Sequence, residues 1–178
     1  VRKGLALAFL GLAAALPSAA AARPFHGHAE RLDAQTRARM TGVSWHRGCP
    51  VGLGRLRLLT LDHWGFDGEV HRGRLVVNRD AAGAMLAAIR SLYRLHFPIR
   101  RMRLVDAYGA DDHRSMDADN TSAFNCRFVA GSGRWSEHAY GRAIDVDPVV
   151  AAFAKVGWAW GGSWTGTKDY QHFSASGH

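Results

Sequence analysis

Ser136-Glu137-His138-Ala139-Tyr140-Gly141-Arg142-Ala143-Ile144-Asp145-Val146-Asp147 is the stretch on which the reading of this chain turns. Gly141, lying between an imidazole and a carboxylate, lets a loop turn tightly into a strand that presents Asp145. A second stretch, Lys168-Asp169-Tyr170-Gln171-His172-Phe173, lies nearer the C-terminus. His138, Asp145 and His172 together supply three N/O ligands. Tetrahedral zinc would keep its fourth position for a water, which the metal acidifies toward neutrality. Asp169, three residues before His172, can face that water and carry its proton without ligating. Spacing alone does not decide the matter. The chain holds 10 His, and a charged turn accounts for His138 and Asp145 equally well.

Working outward, 178 residues suffice for one hydrophobic core and leave little room for a second. With 47% hydrophobic and 21% charged residues, disordered and collagen-like chains are excluded. The first 22 residues differ from the rest. Arg2 and Lys3 start a basic end, Leu5 to Leu16 is apolar, and Ser18-Ala19-Ala20-Ala21-Ala22 offers small residues for cleavage. That order reads as a secretory signal peptide, cut after Ala20 or Ala22. The apolar run is shorter than the roughly 20 residues that span a bilayer, so no stable membrane insertion is expected. Residues 23–178 then form one domain of net charge about +6, against +8 for the whole chain. An exported, periplasmic or cell-wall-associated protein of that charge suits a polyanionic wall. Nucleic acid is excluded as a partner, because the arginines are interspersed with acids and form no stripe. In an oxidising compartment Cys49 and Cys126 are read as a structural disulfide, with two free thiols as the alternative.

Residues 23–47 are basic and polar, with a short helix expected over Glu30 to Met40. Leu56, Leu58, Leu59 and Leu61 mark a strand, Trp64-Gly65-Phe66-Asp67-Gly68 a turn, and Gly73 to Val77 a returning strand. Ala82, Met85, Leu86, Ile89, Leu92 and Tyr93 recur at helical spacing, with Asp80 or Asn78 as cap and Phe97-Pro98 as stop. Ile99 to Val105 alternates as a strand would. Ala107 to Arg134 reads as an irregular loop or cleft wall, with Asp112 and Asp117 read first as solvated turn residues and second as cleft lining. Short strands are expected at Ala143 to Val146 and Tyr170 to Phe173, and helical turns over Val149 to Val156. The fold class is α+β, a small, mostly antiparallel sheet flanked by helices.

These residues resemble a known family. The patterns S-x-H-x-x-G-x-A-x-D from Ser136 and D-x-x-H-F from Asp169, with Trp160-Gly161-Gly162-Ser163-Trp164 between them, are similar to the core of the D-alanyl-D-alanine carboxypeptidase-like zinc peptidases. That family includes VanY-type carboxypeptidases and phage L-alanyl-D-glutamate endopeptidases. The resemblance covers residues 56–174 and implies the zinc-peptidase fold shared with hedgehog-like domains. It further implies one zinc on His138, Asp145 and His172, with Asp169 as general acid/base where relatives often carry Glu. The implied substrate is the peptidoglycan stem peptide, taken by a monomer. An upstream arginine should hold the substrate's carbonyl or carboxylate. The usual short signature for it is missing where Asp106-Ala107-Tyr108-Gly109-Ala110 stands, which leaves Arg127 first and Arg114 second. A further departure is that Asp147-Pro148 runs directly into Val149-Val150, without the long loop of many relatives. The competing reading is a non-catalytic wall-binding module that keeps the fold. His63, His71, His96 and His113 are read as exposed or satisfied hydrogen bonders. Trp158, Trp160 and Trp164 are read first as core and cleft support, and only second as a sugar platform.

Overall fold

A computed structural model of the chain describes residues 23–129, 131–146, 159–160, 165 and 173–174. Its centre is a hairpin of β2 (Leu56–Trp64) and β3 (Val70–Asn78), antiparallel with Leu58 opposite Val76 and Leu56 opposite Asn78. The leucine run explains the hairpin's place. Leu56 and Leu58 face one side while Leu59 and Leu61 face the other, so neither face can stay wet. On the first face Leu32, Met40, Val51, Leu104 and Phe124 close over Leu56, Leu58 and Val76. On the second, Ala82 and Ile89 join Ile99 and Met102 over Leu59, Leu61, Leu75 and Val77. Each such leucine, fully buried, contributes about 1.5–3 kcal/mol relative to exposure.

Strand β1 (Gly27–Arg31) adds to β2 and completes a three-stranded antiparallel sheet, β1-β2-β3. Sequence reading had placed no strand here and had begun a helix at Glu30. The residues of β1 are largely exposed, so no apolar alternation announces an edge strand held by ladder hydrogen bonds alone. The helix, α1 (Ala34–Met40), starts later, where Asp33 Oδ1 accepts from Thr36 N at 2.6 Å.

Helix α2 (Ala82–Arg94) occupies the expected periodic stretch. The expected caps do not act. Ala81 is the N-cap and has no side-chain bond, because Asp80 is spent on Arg55 and Arg79 and Asn78 folds back on Asp80 N. The helix ends before Pro98, with His96 in the left-handed region (φ 51°) and Phe97 N donating to Leu92 O at 3.0 Å. Ile99 to Val105 shrinks to β4 (Arg101–Met102), paired in parallel with β5 (Asn120–Thr121). The polar stretch after Ala107 is not loop throughout. It carries α3 (Asp112–Asp117), capped by Asp111, too short and too polar to show a period. Ala143 to Val146 reduces to one bridge, Asp145 to Ser122. β6 (Ala159–Trp160) pairs antiparallel with β7 (Phe173–Ser174). Val149 to Val156 and Tyr170 to His172 lie outside the described residues, as do the expected leader, Trp158 and Trp164.

Cys49 and Cys126 are joined in a disulfide across a sequence separation of 77 residues. Closing a loop of that length removes about 4 kcal/mol of freedom from the unfolded chain. Near it, Ser44 Oγ donates to Asp106 Oδ1 at 2.8 Å. Burial pushes the Asp106 carboxyl up, and the Ser44 bond and Arg39 offset it only in part. A folded pKa above the unfolded value means a stabilising contribution present below the unfolded pKa and lost as pH rises through the folded one. Asp106→Asn keeps the acceptor oxygen and removes the charge. We expect it to raise Tm at pH 7 by a few degrees, and to match the parent near pH 3, in paired thermal melts.

Candidate metal centre

The site is built on a short 3-10 turn, Glu137–Tyr140. Ser136 caps it, its buried hydroxyl accepting from His138 N at 3.3 Å. Gly141 ends it at φ 66°, ψ 32°, where its N–H reaches His138 O at 3.0 Å. A side chain has no room there. A Cβ on Gly141 would lie 2.6 Å from Asn78 N and 3.1 Å from Val77 C. The contact is close because the end of β3 is bonded to the turn. Asn78 N donates to Gly141 O at 2.9 Å, and Asn78 Nδ2 to Tyr140 O at 3.1 Å.

His138 is held at both ring nitrogens. Nδ1 donates to Ala123 O, while Nε2 lies 3.3 Å from Asp145 Oδ2. The carbonyl thereby fixes the tautomer that leaves the Nε2 lone pair free, the usual support of a ligating histidine. Asp145 is placed by its own backbone, N–H donating to Ser122 O at 3.0 Å. Zinc bonds of about 2.0–2.2 Å at tetrahedral angles put neighbouring ligand atoms about 3.4 Å apart. The observed separation fits two corners of such a site. The His138 side chain is 12% exposed and that of Asp145 46%, so the pair opens outward on the carboxylate side. Burial, the largest influence on His138, disfavours its cation. The Asp145 carboxylate and the Ala123 carbonyl outweigh burial and leave its pKa raised, against an opposing push from Arg127.

Among the residues singled out from sequence, the structure brings His138, Asp145 and Arg127 together. Asn125 N donates to His138 O at 3.2 Å, and Arg127 follows two residues on, its charge felt at His138. Arg127 is tethered through Nε to Asp112 Oδ2, and Asp112 Oδ1 accepts from Asn125 Nδ2 at 2.7 Å. Asp112 is therefore no solvated turn residue but the anchor of the candidate substrate arginine. Arg114 is exposed, and its backbone N–H serves the α3 cap. His172 and Asp169 lie outside the described residues. Sequence reasoning took Asp112 first as a solvated turn residue and missed Asn125 and the Ala123 carbonyl. Only Asp112 left a signal, as a carboxylate in the loop that precedes Arg127.

A second donor cluster, His46 with Cys49 and Cys126, brings three candidate ligand atoms within 4.8 Å. Its two sulfurs are bonded to each other, and a metal takes thiolates, so the cluster can bind one only after reduction. His63, expected to be exposed or a satisfied hydrogen bonder, is buried with Nδ1 3.3 Å from Trp64 O, and burial lowers its pKa. Among the described residues no helix is long and apolar enough to cross a membrane.

Comparison with known proteins adds one match. The D-alanyl-D-alanine carboxypeptidase family model matches residues 146–175. The matched segment begins directly after Asp145 and contains Asp169 and His172. It agrees with the resemblance drawn from the motifs. No curated protein and no solved structure matches the chain.

Gly141→Ala tests the local construction. Backbone strain at positive φ costs about 1–2 kcal/mol and the contact with Asn78 adds to it. Chemical denaturation should show a loss of about 2 kcal/mol or more, whereas Gly133→Ala, with open space around it, should stay near the parent.

Proposed function

We propose that this protein is a zinc-dependent peptidase of the D-alanyl-D-alanine carboxypeptidase type that cleaves peptidoglycan stem peptides. One observation carries the reading. His138 Nε2 and Asp145 Oδ2 stand at ligand-edge distance, with Nδ1 locked on Ala123 O, immediately upstream of the segment that matches that family. His138, Asp145 and His172 would hold one zinc. Such an ion, when bound, supplies Lewis acidity and lowers the pKa of water.

The chain's own residues divide the remaining work. Asp169 accepts the proton of the attacking water and returns it to the leaving amine. Arg127, fixed against Asp112, steadies the carbonyl oxygen as negative charge develops, or holds a terminal carboxylate of the substrate. Arg114 stands second for that role. Glu137 and Tyr140, on the turn that carries His138, line a cleft of about 570 Å³ together with Arg134, Trp135 and Arg142. Residues 1–22 serve as a secretory leader, and the Cys49–Cys126 disulfide supports an oxidising destination outside the cytoplasm.

The test compares the parent with two variants on purified peptidoglycan, read by mass spectrometry of released D-Ala and peptide fragments. Parent protein should carry close to one zinc and lose turnover with a chelator. Asp169→Asn should keep zinc and Tm while turnover falls about 10²-fold or more. His172→Ala should lose metal and turnover together. Zinc-loaded parent protein that binds peptidoglycan and releases nothing would establish the wall-binding module in place of the enzyme. Loss of zinc from Asp169→Asn would move Asp169 into the ligand set.

A further inference from the structure

The segment His46-Arg47-Gly48-Cys49 supplies more than one half of a disulfide. It is a tight turn: Cys49 N donates to His46 O at 3.2 Å, and Gly48 stands at φ 97°, where a side chain would be strained. The turn brings the two donor residues to one side, and His46 N–H donates to Cys49 Sγ at 3.2 Å. Two ligands with two residues between them match the spacing of a metal-binding knuckle.

The imidazole is prepared as a ligand. Its Nδ1 lies 2.8 Å from Arg47 O, a carbonyl that can only accept, so the proton sits on Nδ1 and Nε2 keeps a bare lone pair. Nε2 lies 3.7 Å from Cys126 Sγ. A disulfide sulfur has no proton, so here two acceptors face one another and no hydrogen bond joins them. Zinc bonds of about 2.0 Å to nitrogen and about 2.3 Å to sulfur, at tetrahedral angles, put neighbouring N and S donors about 3.6 Å apart. The observed spacing is such an edge. Cys49 Sγ completes a set whose three donor atoms lie within 4.8 Å of one another.

The set is held together by more than the S–S bond. Trp45 N donates to Met40 O at 2.9 Å and Trp45 Nε1 to Val51 O at 2.9 Å, which fixes both flanks of the turn. Cys126 N donates to Ser44 O at 3.0 Å, so the two backbone arms are bonded directly to each other. With Cα atoms 5.9 Å apart, rotation about Cα–Cβ brings the sulfurs to the roughly 3.8 Å separation of two zinc thiolates. His46 is exposed, Cys49 half-buried and Cys126 buried, so a cation can enter from the imidazole side. Among the described residues no fourth His, Cys, Asp or Glu joins the group, which leaves one position to water.

From this geometry we propose a second metal site that is the alternative to the disulfide: after reduction, the Cys49 and Cys126 thiolates and His46 Nε2 bind one zinc ion. Two thiolates and an imidazole select such a cation over the hard divalent ions. The steps balance. A dithiol gives two electrons to the Cys49–Cys126 bond and becomes a disulfide, leaving two thiols on the chain. The metal then displaces both thiol protons to solvent and forms two bonds to sulfur and one to nitrogen. The turn is thus clipped to the Cys126 strip in either state, covalently when oxidised and through the ion when reduced. The site shares no residue with His138, Asp145 and His172 and does not rest on the peptidase reading.

Cobalt(II), a spectroscopic stand-in for zinc, tests the site on the full chain. Metal-free protein reduced with a phosphine and kept anaerobic should take up close to one cobalt more than the oxidised protein does. It should show a sulfur-to-cobalt charge-transfer band in the near ultraviolet, and zinc should abolish that band. Oxidised protein should lack it, because His138, Asp145 and His172 contain no sulfur. His46→Ala should weaken uptake at the reduced site about 10-fold or more, while the metal content of the oxidised protein stays at the parent level. Zinc should also keep both thiols alkylatable after oxidised glutathione is added, whereas reduced, metal-free protein recloses its disulfide. Reduced protein with a native circular dichroism spectrum and no charge-transfer band would overturn the site, as would an unchanged affinity in His46→Ala. If reduction alone unfolds the chain, failure of zinc to restore the native spectrum overturns it as well. None of these results bears on zinc at His138.

Discussion

The geometry of the His138–Asp145 pair depends on where the backbone of residues 122–125 runs. Ala123 O receives His138 Nδ1, Ser122 O receives Asp145 N, and Asn125 N returns a bond to His138 O. The same strip is pinned to the core, since Phe124 N donates to Val76 O and the Phe124 side chain is buried against the hairpin. A carbonyl on such a strip has no rotamer to choose, so the ring it orients inherits the stiffness of the sheet. One end of the strip continues β5 in its pairing with β4, and the other reaches the disulfide at Cys126. Geometry at His138 is therefore set by contacts made far from it in sequence.

That dependence explains what could be read from the residues alone and what could not. The hairpin and α2 were legible because burial wrote a period into them, leucines on two faces of β2 and a helical repeat through Ile89 and Tyr93. β1 was hidden because an exposed edge strand is held by backbone bonds that impose no side-chain pattern. α3 was hidden by its length. At the site, His138 and Asp145 stood out by residue type, and Gly141 by the turn it permits. The Ala123 carbonyl could not stand out, since every residue has one. Asp112 was misread because a carboxylate in a polar run resembles a solvated turn until its partner, Arg127, is placed in space.

The electrostatics of the pair follow from its position at the edge of the core. Burial disfavours a charged His138, yet Asp145 and the Ala123 carbonyl favour it more, so its pKa is raised. Arg127 pushes the other way, disfavouring a positive His138, and its tether to Asp112 limits how close that charge can come. Charge of both signs is thus brought to one small region, with His138 held by the Ala123 carbonyl and Arg127 by its ion pair with Asp112.

The His138–Asp145 pair and an aromatic cavity lined by Phe25, Trp64 and Tyr93 share one hairpin and are separated by one helix. β3 ends at Asn78, which locks the turn of His138, and the chain then enters α2, which ends at the aromatic cavity. β2 ends at Trp64, which forms the cavity floor. Because Leu59, Leu61, Leu75 and Val77 pack against α2 along its length, the helix is a rigid spacer whose two ends keep a constant distance.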